Sequence, residues 1–442
     1  MKRKELLKYI IGFSLVAVLA LSIPLMSGCT SPTPTPEPTP TPEPTPTPEP
    51  TPEPGPTPEP GPTGEPIKLG VPVPLTGYMA SDGFDSRDGI ILAVEDINAA
   101  GGLAGRPVEV ITFDAKELLA ETAAAAAEKL IVGDEVDALV CCYFDEAGTD
   151  TFGKYSPPFL HAPGSQACIN LINDNGYTNV FIAAHLADVT GANCVKTALS
   201  VAEATGYEWP NNKIVILNGP WEWSYDNARG AAEAAEAAGW EVVDSIEVAL
   251  ETREWGGILS RIRPLEPALI FMEAWDAGCL ASFSLQFQQN PTNTVIVHSQ
   301  ACLMPDYMSI MGDKAEGILA GGRADAIPGP ERDAWRARFE ERFGRAAGLG
   351  VTANSYDMAM QWAEAVKIVG DPSDHAAVCD AIKNNPYEGL CGTYRYSDEY
   401  YVPSADDRPV TLYQVRDGDW LPIGVFDAPI EGVSFQVPPW IE

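Results

Sequence analysis

The sequence predicts an α/β body of two doubly wound lobes. Three features lead there: strands and helices alternate from Ile67 onward, the strands are continuous apolar runs, and the 376 residues after position 66 exceed a single ordinary core. A strand that is apolar on every residue, instead of on alternate ones, is buried on both faces, as in a parallel sheet covered by helices.

The elements follow in order. "IKLGVPVP" is a strand from Ile67. After a polar loop, Ile90, Ala93, Val94 and Ile97 share one face of a helix at 3.6-residue spacing, with Glu95, Asp96 and Asn98 opposite. "GGLAGRP" ends it with Gly and Pro. Next come the strand Val108 to Phe113, an Ala-rich helix from Glu121 to Ile131, and a strand ending at Cys142. The unit repeats with "PPFLHAP", a short helix after Ser165, "NVFIAA", and a helix from Thr190 to Ala204. "KIVILNG", a helix from Asn227 to Gly239, "EVVDSIEV", a helix through Ile258 to Ile262, "ALIFMEA", a helix after Asp276 and the strand "TVIV" complete the alternation. In open parallel sheets, ligands bind beyond the carboxyl ends of the strands, so the residues just after each strand are the candidates for a site.

The first 66 residues do not belong to that body. Lys2, Arg3, Lys4 and Lys8 precede an apolar run from Ile10 to Leu25 and the small residues Ser27 and Gly28, the order of an export leader. Met26-Ser27-Gly28-Cys29 resembles the lipobox of bacterial lipoproteins, which implies cleavage after residue 28 and a lipid on Cys29; an uncleaved anchor and plain secretion are the alternatives. All three place the body outside the cytoplasm. From Thr30 to Pro66 almost every residue is Pro, Thr, Glu or Gly, a composition with locked φ angles and no apolar face to bury. In polyproline II this tether (29–66) reaches roughly 110 Å.

The chain carries 28 basic and 62 acidic residues; without the four and seven that lie before residue 67, the body holds 24 and 55, net −31. Nucleic acid is excluded as a partner by that charge. A field of this sign favours cations, although acidity of this degree also suits a salty habitat. Besides Cys29 there are eight cysteines. None has C-x-x-C spacing and the four histidines are scattered, so no metal site is expected. A Cys379–Cys391 disulfide is expected to staple a helix end to the next strand. The absence of a G-x-S-x-G, a metal-ligand cluster or a phosphate loop leaves an enzyme without machinery, and no cofactor is expected.

Four segments carry a family resemblance: "IKLGVPVPLTGYMASDGFDSRDGIILAVEDINAAGGLAGRPVEVITFDAK", "KLIVGDEVDALV", "SYDNARGAAEAAEAAGWEVV", and "YEGLCGTYRYSDEYY" with "VTLYQVRDGDWLPIG". Together they resemble the leucine/isoleucine/valine-binding family of ABC-transporter substrate-binding proteins, in order across residues 67 to 425. The resemblance implies a type I periplasmic-binding-protein fold. It has two lobes joined by a three-segment hinge, closing on a small-molecule ligand and presenting it, as a monomer, to an ABC permease in the membrane; an extracytoplasmic sensor is the alternative. Lobe one is expected at 67–185 plus 319–392, and lobe two at 186–318 plus 393–442.

The family's pocket carries over loop by loop. Tyr78 and Ser81 lie on the first loop, which in relatives covers the ligand. Where relatives hold the ligand carboxylate with Gly-Pro and Ser-Ser, this chain has Phe144, Asp145 and Glu146, which would repel one unless they face solvent or cap the next helix. Gly164 and Ser165 start a helix whose amides suit an anionic or carbonyl oxygen; Ser165 also reads as an N-cap. Tyr225 matches an aromatic used against the ligand, and Trp221 and Trp223 precede it; three aromatics within five residues are hard to bury together, so at least one is expected to face the cleft, and an aromatic wall beside carboxylates suits a cationic or amide-bearing ligand. Glu273, Trp275 and Asp276 fall where relatives place an acid on the ligand ammonium, with Asp276 also read as a helix cap. His298 ends a strand and is either structural or a ligand contact.

Overall fold

A computed structural model describes residues 61–162, 164–323 and 325–442. The leader, Cys29 and the tether up to residue 60 lie outside the described residues. Residues 61–442 belong to a single body. That body is a two-lobed α/β structure of the type I periplasmic-binding-protein kind.

Lobe one is built by β1 (Ile67–Val73), α1 (Ala80–Ala99), β2 (Val108–Asp114), α2 (Ala120–Ala126), β3 (Ala138–Cys141), α3 (Glu146–Phe152), β4 (Phe159–His161), α4 (Gln166–Asn175) and β5 (Val180–Ile182). The five strands are parallel in the order β2-β1-β3-β4-β5. Every residue of β3, β4 and β5 is buried, as their unbroken apolar runs require. The Ala-rich helix is longer than expected, because α2 runs on as a π-helical segment over Ala127–Gly133.

The chain then crosses into lobe two through α5 (Ala187–Ala204), β6 (Lys213–Asn218), α6 (Glu222–Ala237), β7 (Glu241–Glu247), α7 (Gly256–Ile262), β8 (Leu269–Glu273), α8 (Ala277–Phe287), β9 (Val295–Ser299), α9 (Pro305–Met311) and β10 (Leu319–Gly322). It returns to lobe one with α10 (Pro330–Phe343), α11 (Thr352–Val369), α12 (His375–Asn384) and the hairpin β11 (Tyr387–Gly389) and β12 (Gly392–Tyr394). It ends in lobe two with β13 (Thr411–Arg416), β14 (Asp419–Val425) and β15 (Ala428–Pro429). The second sheet has eight strands, β15-β14-β13-β10-β9-β8-β6-β7. Its β10-β9-β8-β6-β7 part is parallel, and β13, β14 and β15 add to it antiparallel. The exposed edge, β7, carries Glu241, Asp244 and Glu247, charges that discourage pairing with another chain.

Three expectations need correction. β10 pairs with β9 and β13, so the second crossing falls at Arg323 and not at residue 319. Likewise Tyr394, Tyr396 and Val402 pack in the lobe-one core, which puts the third crossing beyond residue 402 instead of at 392. No disulfide joins Cys379 to Cys391: Cys379 faces the main lobe-one core, whereas Cys391 packs in a separate cluster with Leu92, Trp335 and Phe339.

Two buried arginines tie the three crossings together. Arg323, on the second, donates to the carbonyls of His185 on the first and of Ala162 at 3.2 Å. Arg408, on the third and fully buried, donates to Ala183 O at 2.7 Å, Arg323 O at 3.1 Å and Cys391 O at 3.0 Å, and stacks over Tyr394 at 4.2 Å. Backbone pairing between the first and third crossings is short, Ile182 N to Tyr400 O at 2.9 Å and Val402 N to Ala184 O at 3.2 Å, and these guanidinium groups supply donors to carbonyls it does not reach. Replacing Arg408→Met keeps the bulk and removes the donors, so it should cost about 3 to 5 kcal/mol in urea unfolding. A loss below about 1 kcal/mol would show that the crossings do not depend on it.

Candidate functional site

A cavity of about 250 Å³ lies between the lobes, lined by Tyr78, Met79, Leu118, Tyr143, Phe144, Asp145, Glu146, Trp221, Trp223, Leu250 and Trp275. Each of these follows the carboxyl end of a strand: β1, β2 and β3 in lobe one, β6, β7 and β8 in lobe two. β1 and β3 are neighbours in the first sheet, and β6 and β8 in the second, so the cavity sits where strand order reverses in each.

The lobes touch around it. The Trp275 ring meets the Tyr143 ring edge-on at 4.9 Å and the Trp223 ring at 5.0 Å, and its Nε1 points to Met79 Sδ at 3.2 Å. Ser81 Oγ donates to Asp306 Oδ2 of α9 at 2.6 Å, Gln166 N donates to Asp226 Oδ2 of α6 at 3.0 Å, and Gln300 Nε2 donates to Gly350 O at 2.7 Å. The lobes are therefore closed on the cavity.

The acidic end is shaped by strain. Phe144 has φ +86°, which a residue with a Cβ adopts at a cost of about 1–3 kcal/mol. Its buried ring, 5.4 Å from that of Phe152, holds the backbone there and turns Asp145 and Glu146 toward the cavity. Asp145 makes no side-chain cap to α3, so the capping alternative fails. Its Oδ1 accepts from the Cys168 thiol at 2.8 Å, and Glu146 Oε1 accepts from Ser165 Oγ at 2.8 Å. Burial, then the neighbouring Glu146, raises the Asp145 pKa to about 7. Among the described residues, Asp145, Glu146 and Cys168 are the group whose donor atoms could hold a metal ion, lying within 4.8 Å of one another. Burial and the two carboxylates hold the Cys168 thiol well above its ordinary pKa, so its sulfur serves as a hydrogen-bond donor instead of a thiolate ligand.

Of the residues expected here, Tyr78, Phe144, Asp145, Glu146, Trp223 and Trp275 line the cavity, and the others do not. Tyr225 is turned away, its hydroxyl donating to Glu247 at 2.6 Å on the surface. α6 begins at Glu222, not at Asn227, so Trp223 and Tyr225 are helical neighbours two apart and face opposite sides. Glu273 is fully buried, accepts from Ser224, and burial raises its pKa well above the usual carboxyl value. Asp276 caps α8 through Gly278 N and Cys279 N and pairs with Arg253 at 2.6 Å, as the cap reading expects. His298 is buried against Ser284 Oγ at 2.9 Å, the structural alternative. Ser165 caps α4 through Cys168 N, and Gly164 is small because Ile182 and Leu186 crowd it, not because a ligand approaches. Ser81 acts between lobes instead of in the cavity. Trp221, named with Trp223 and Tyr225 as an aromatic that could face the cleft, also lines the cavity, whereas Met79, Leu118, Tyr143 and Leu250 were missed. The rule that named the other loops reaches all four, since each follows a strand end, but residue type alone gave no signal for the leucines.

The buried titratable groups set a pH dependence. Burial raises Asp82 to about 7, against the lowering effect of a hydrogen bond from Tyr143, and raises Asp85 to about 6. Carboxyls raised in the fold bind more protons than the unfolded chain between about pH 4 and 7, so their stabilisation is lost as pH rises through that window. Burial lowers His161, His185 and His298 to about 3, which acts in the opposite direction between about pH 3 and 6.5. Between pH 6.5 and 8 the unfolded histidines still give up protons, which offsets about 1 kcal/mol of the loss caused by the raised carboxyls of Asp82, Asp85, Asp145 and Glu273. The ligand-free protein should lose about 1 to 3 kcal/mol net over that interval in denaturant titrations, with D82N flattening the slope. A rising stability across that interval would contradict the assignment.

Comparisons with known proteins agree with this architecture. The model of a family described as periplasmic binding protein matches residues 66–419. The leucine-, isoleucine-, valine-, threonine- and alanine-binding protein of Pseudomonas aeruginosa is 21% identical over 344 residues, 77% of this chain and 87% of its own length. A solved structure from Silicibacter pomeroyi, provisionally described as a branched-chain amino acid ABC transporter, superposes with a TM-score of 0.77 at 25% identity, covering 85% of this chain and all of that one. An ABC-transporter solute binding protein from R. palustris, in complex with benzoate, superposes at 0.68 with 18% identity, covering 84% and 99%; at that identity the likeness is one of fold.

Proposed function

The chain belongs to the periplasmic binding protein family, and from that premise we propose that it is the extracytoplasmic receptor of an ABC importer, taking an amino acid, an amide or another small solute between its lobes. The observation that carries this is the aromatic-lined cavity at the strand mouths of both lobes, bridged by Trp275. The family is one of solute-binding receptors that work outside the cytoplasm. Among the described residues no helix is long and apolar enough to cross a membrane.

Binding works by hinge closure. A solute touching Tyr143 from one lobe and Trp223 and Trp275 from the other contacts both only when they are closed, so it shifts the open and closed populations by its greater affinity for the closed form. The closed form carries a surface unlike the open one, and the permease reads that difference. Lipid on Cys29 holds the protein at the membrane, and the Pro-rich tether lets the body reach the permease; the order of residues 2 to 29 and the composition of 30 to 66 support this. No relative reported above is described as a sensor, and no observation favours that role.

A thermal-shift panel of amino acids, amides, amines, polyamines and aromatic acids tests the proposal, since a ligand that binds only the folded state raises its melting temperature. At least one solute should raise it by several degrees. Trp275→Ala should abolish that shift, and Tyr225→Ala should leave it intact. A solute whose shift survives Trp275→Ala, or a panel without any shift, would refute the receptor site.

A further inference from the structure

Resting on the receptor reading above, we propose that the solute is an organic ammonium ion: a compact apolar body bearing a protonated amine, held by aromatic rings and by the carboxylates of Asp145 and Glu146. Six of the eleven lining residues are aromatic, Tyr78, Tyr143, Phe144, Trp221, Trp223 and Trp275, and ring faces attract cations. The remaining walls are Met79, Leu118 and Leu250, so the body of the solute is apolar.

The charged lining residues are both acids, and no Lys, Arg or His lines the cavity. Each acid uses one oxygen inside the protein: Asp145 Oδ1 takes the Cys168 thiol and Glu146 Oε1 takes the Ser165 hydroxyl. Among the described residues, Asp145 Oδ2 and Glu146 Oε2 accept no hydrogen bond, nor are they buried orphans, so two acceptors remain for a donor that the protein does not supply. A protonated amine brings such donors and a charge of the needed sign.

The means of holding an anion are already spent. Gln166 N, at the start of α4, donates to Asp226 of the other lobe, and Cys168 N donates to Ser165. Arg323 lies 5.5 Å over the Trp223 ring, but it is only 5% exposed and donates to two hinge carbonyls. A carboxylate in the cavity would face Asp145 and Glu146, with no Lys, Arg or His on the walls to pair with it. The body's net −31 also raises the local concentration of cations. A cavity of about 250 Å³ suits a monoamine of benzylamine size.

Isothermal titration calorimetry at pH 7.5 with shape-matched sets tests this: benzylamine, benzyl alcohol and benzoate; phenethylamine, its alcohol and its acid; isopentylamine, its alcohol and its acid, with leucine alongside. In at least one set the amine should bind about 30-fold more tightly than the alcohol, and the acid should give no measurable binding. Glu146→Gln and Asp145→Asn should each weaken the amine about 10-fold while leaving the alcohol unchanged, which a merely structural loss would not do. Should Asp145→Asn fail to fold, Glu146→Gln alone decides. An alcohol, an acid or leucine binding as tightly as the amines, or amines that fail to bind, overturns the ammonium assignment. If some other solute in the thermal-shift panel still stabilises the protein through Trp275, the receptor reading survives that result; if none does, both fall.

Discussion

The constraint on which the rest depends is the pair of guanidinium groups buried where the chain passes between lobes. Arg408 reaches backbone on the first and second crossings from the third, and Arg323 reaches the first from the second. A hinge must bend, so it cannot be a sheet, yet its buried carbonyls still need donors. Side-chain donors on long stems meet both demands, because they hold three strands of chain together without fixing each to a ladder. Arg323 carries the cost of this service: burial, then the neighbouring charge of Arg408, lowers its pKa to about 10. The strand mouths of both lobes open toward one space because these crossings hold the sheets in that relation.

From that frame the site follows in two layers. Rings from both lobes make the walls, and Trp275 stands between Tyr143 and Trp223 as the piece shared across the gap. Carboxylates make the polar end, aimed by the positive φ of Phe144. Hydrogen bonds from Ser81 to Asp306 and from Gln166 to Asp226 hold the lobes at the rim. The last of these places a carboxylate from the protein itself on the helix start where an anionic or carbonyl oxygen of a solute was expected. The closed state thus satisfies its own anion position and leaves its acidic end open.

Much of this was legible in the sequence, and the failures share a cause. The alternation of apolar strands and amphipathic helices pointed to the parallel sheet of lobe one and the parallel part of lobe two's sheet, though not to the antiparallel β13, β14 and β15, and the rule about strand ends led to the loops that line the cavity. What pattern reading lacked was helix phase at the loop ends. With α6 placed five residues late, Trp221, Trp223 and Tyr225 read as loop aromatics with nothing to say which faces the cleft, whereas the helix phase separates Trp223 from Tyr225. Glu273 and His298 end strands as a ligand contact would, but they point into the core, and only the fold reveals which way a strand's last side chain faces. The second crossing was misplaced because β10 is a short apolar run that either lobe could bury, and the third because the polar segment after β12 carries Tyr396 and Val402, whose burial in lobe one no periodicity announces. Cys379 and Cys391 are close in sequence and pack in different clusters, a separation that spacing alone cannot express.

Small-angle X-ray scattering on the protein, with and without a saturating amount of the solute that stabilises it most, tests the central claim most directly. A hinged receptor should contract on adding the solute, and the Trp275→Ala variant should keep the wider form in both conditions. Superimposable curves for the unaltered protein, with the solute shown to be bound, would mean that the lobes do not close on it and would contradict the account.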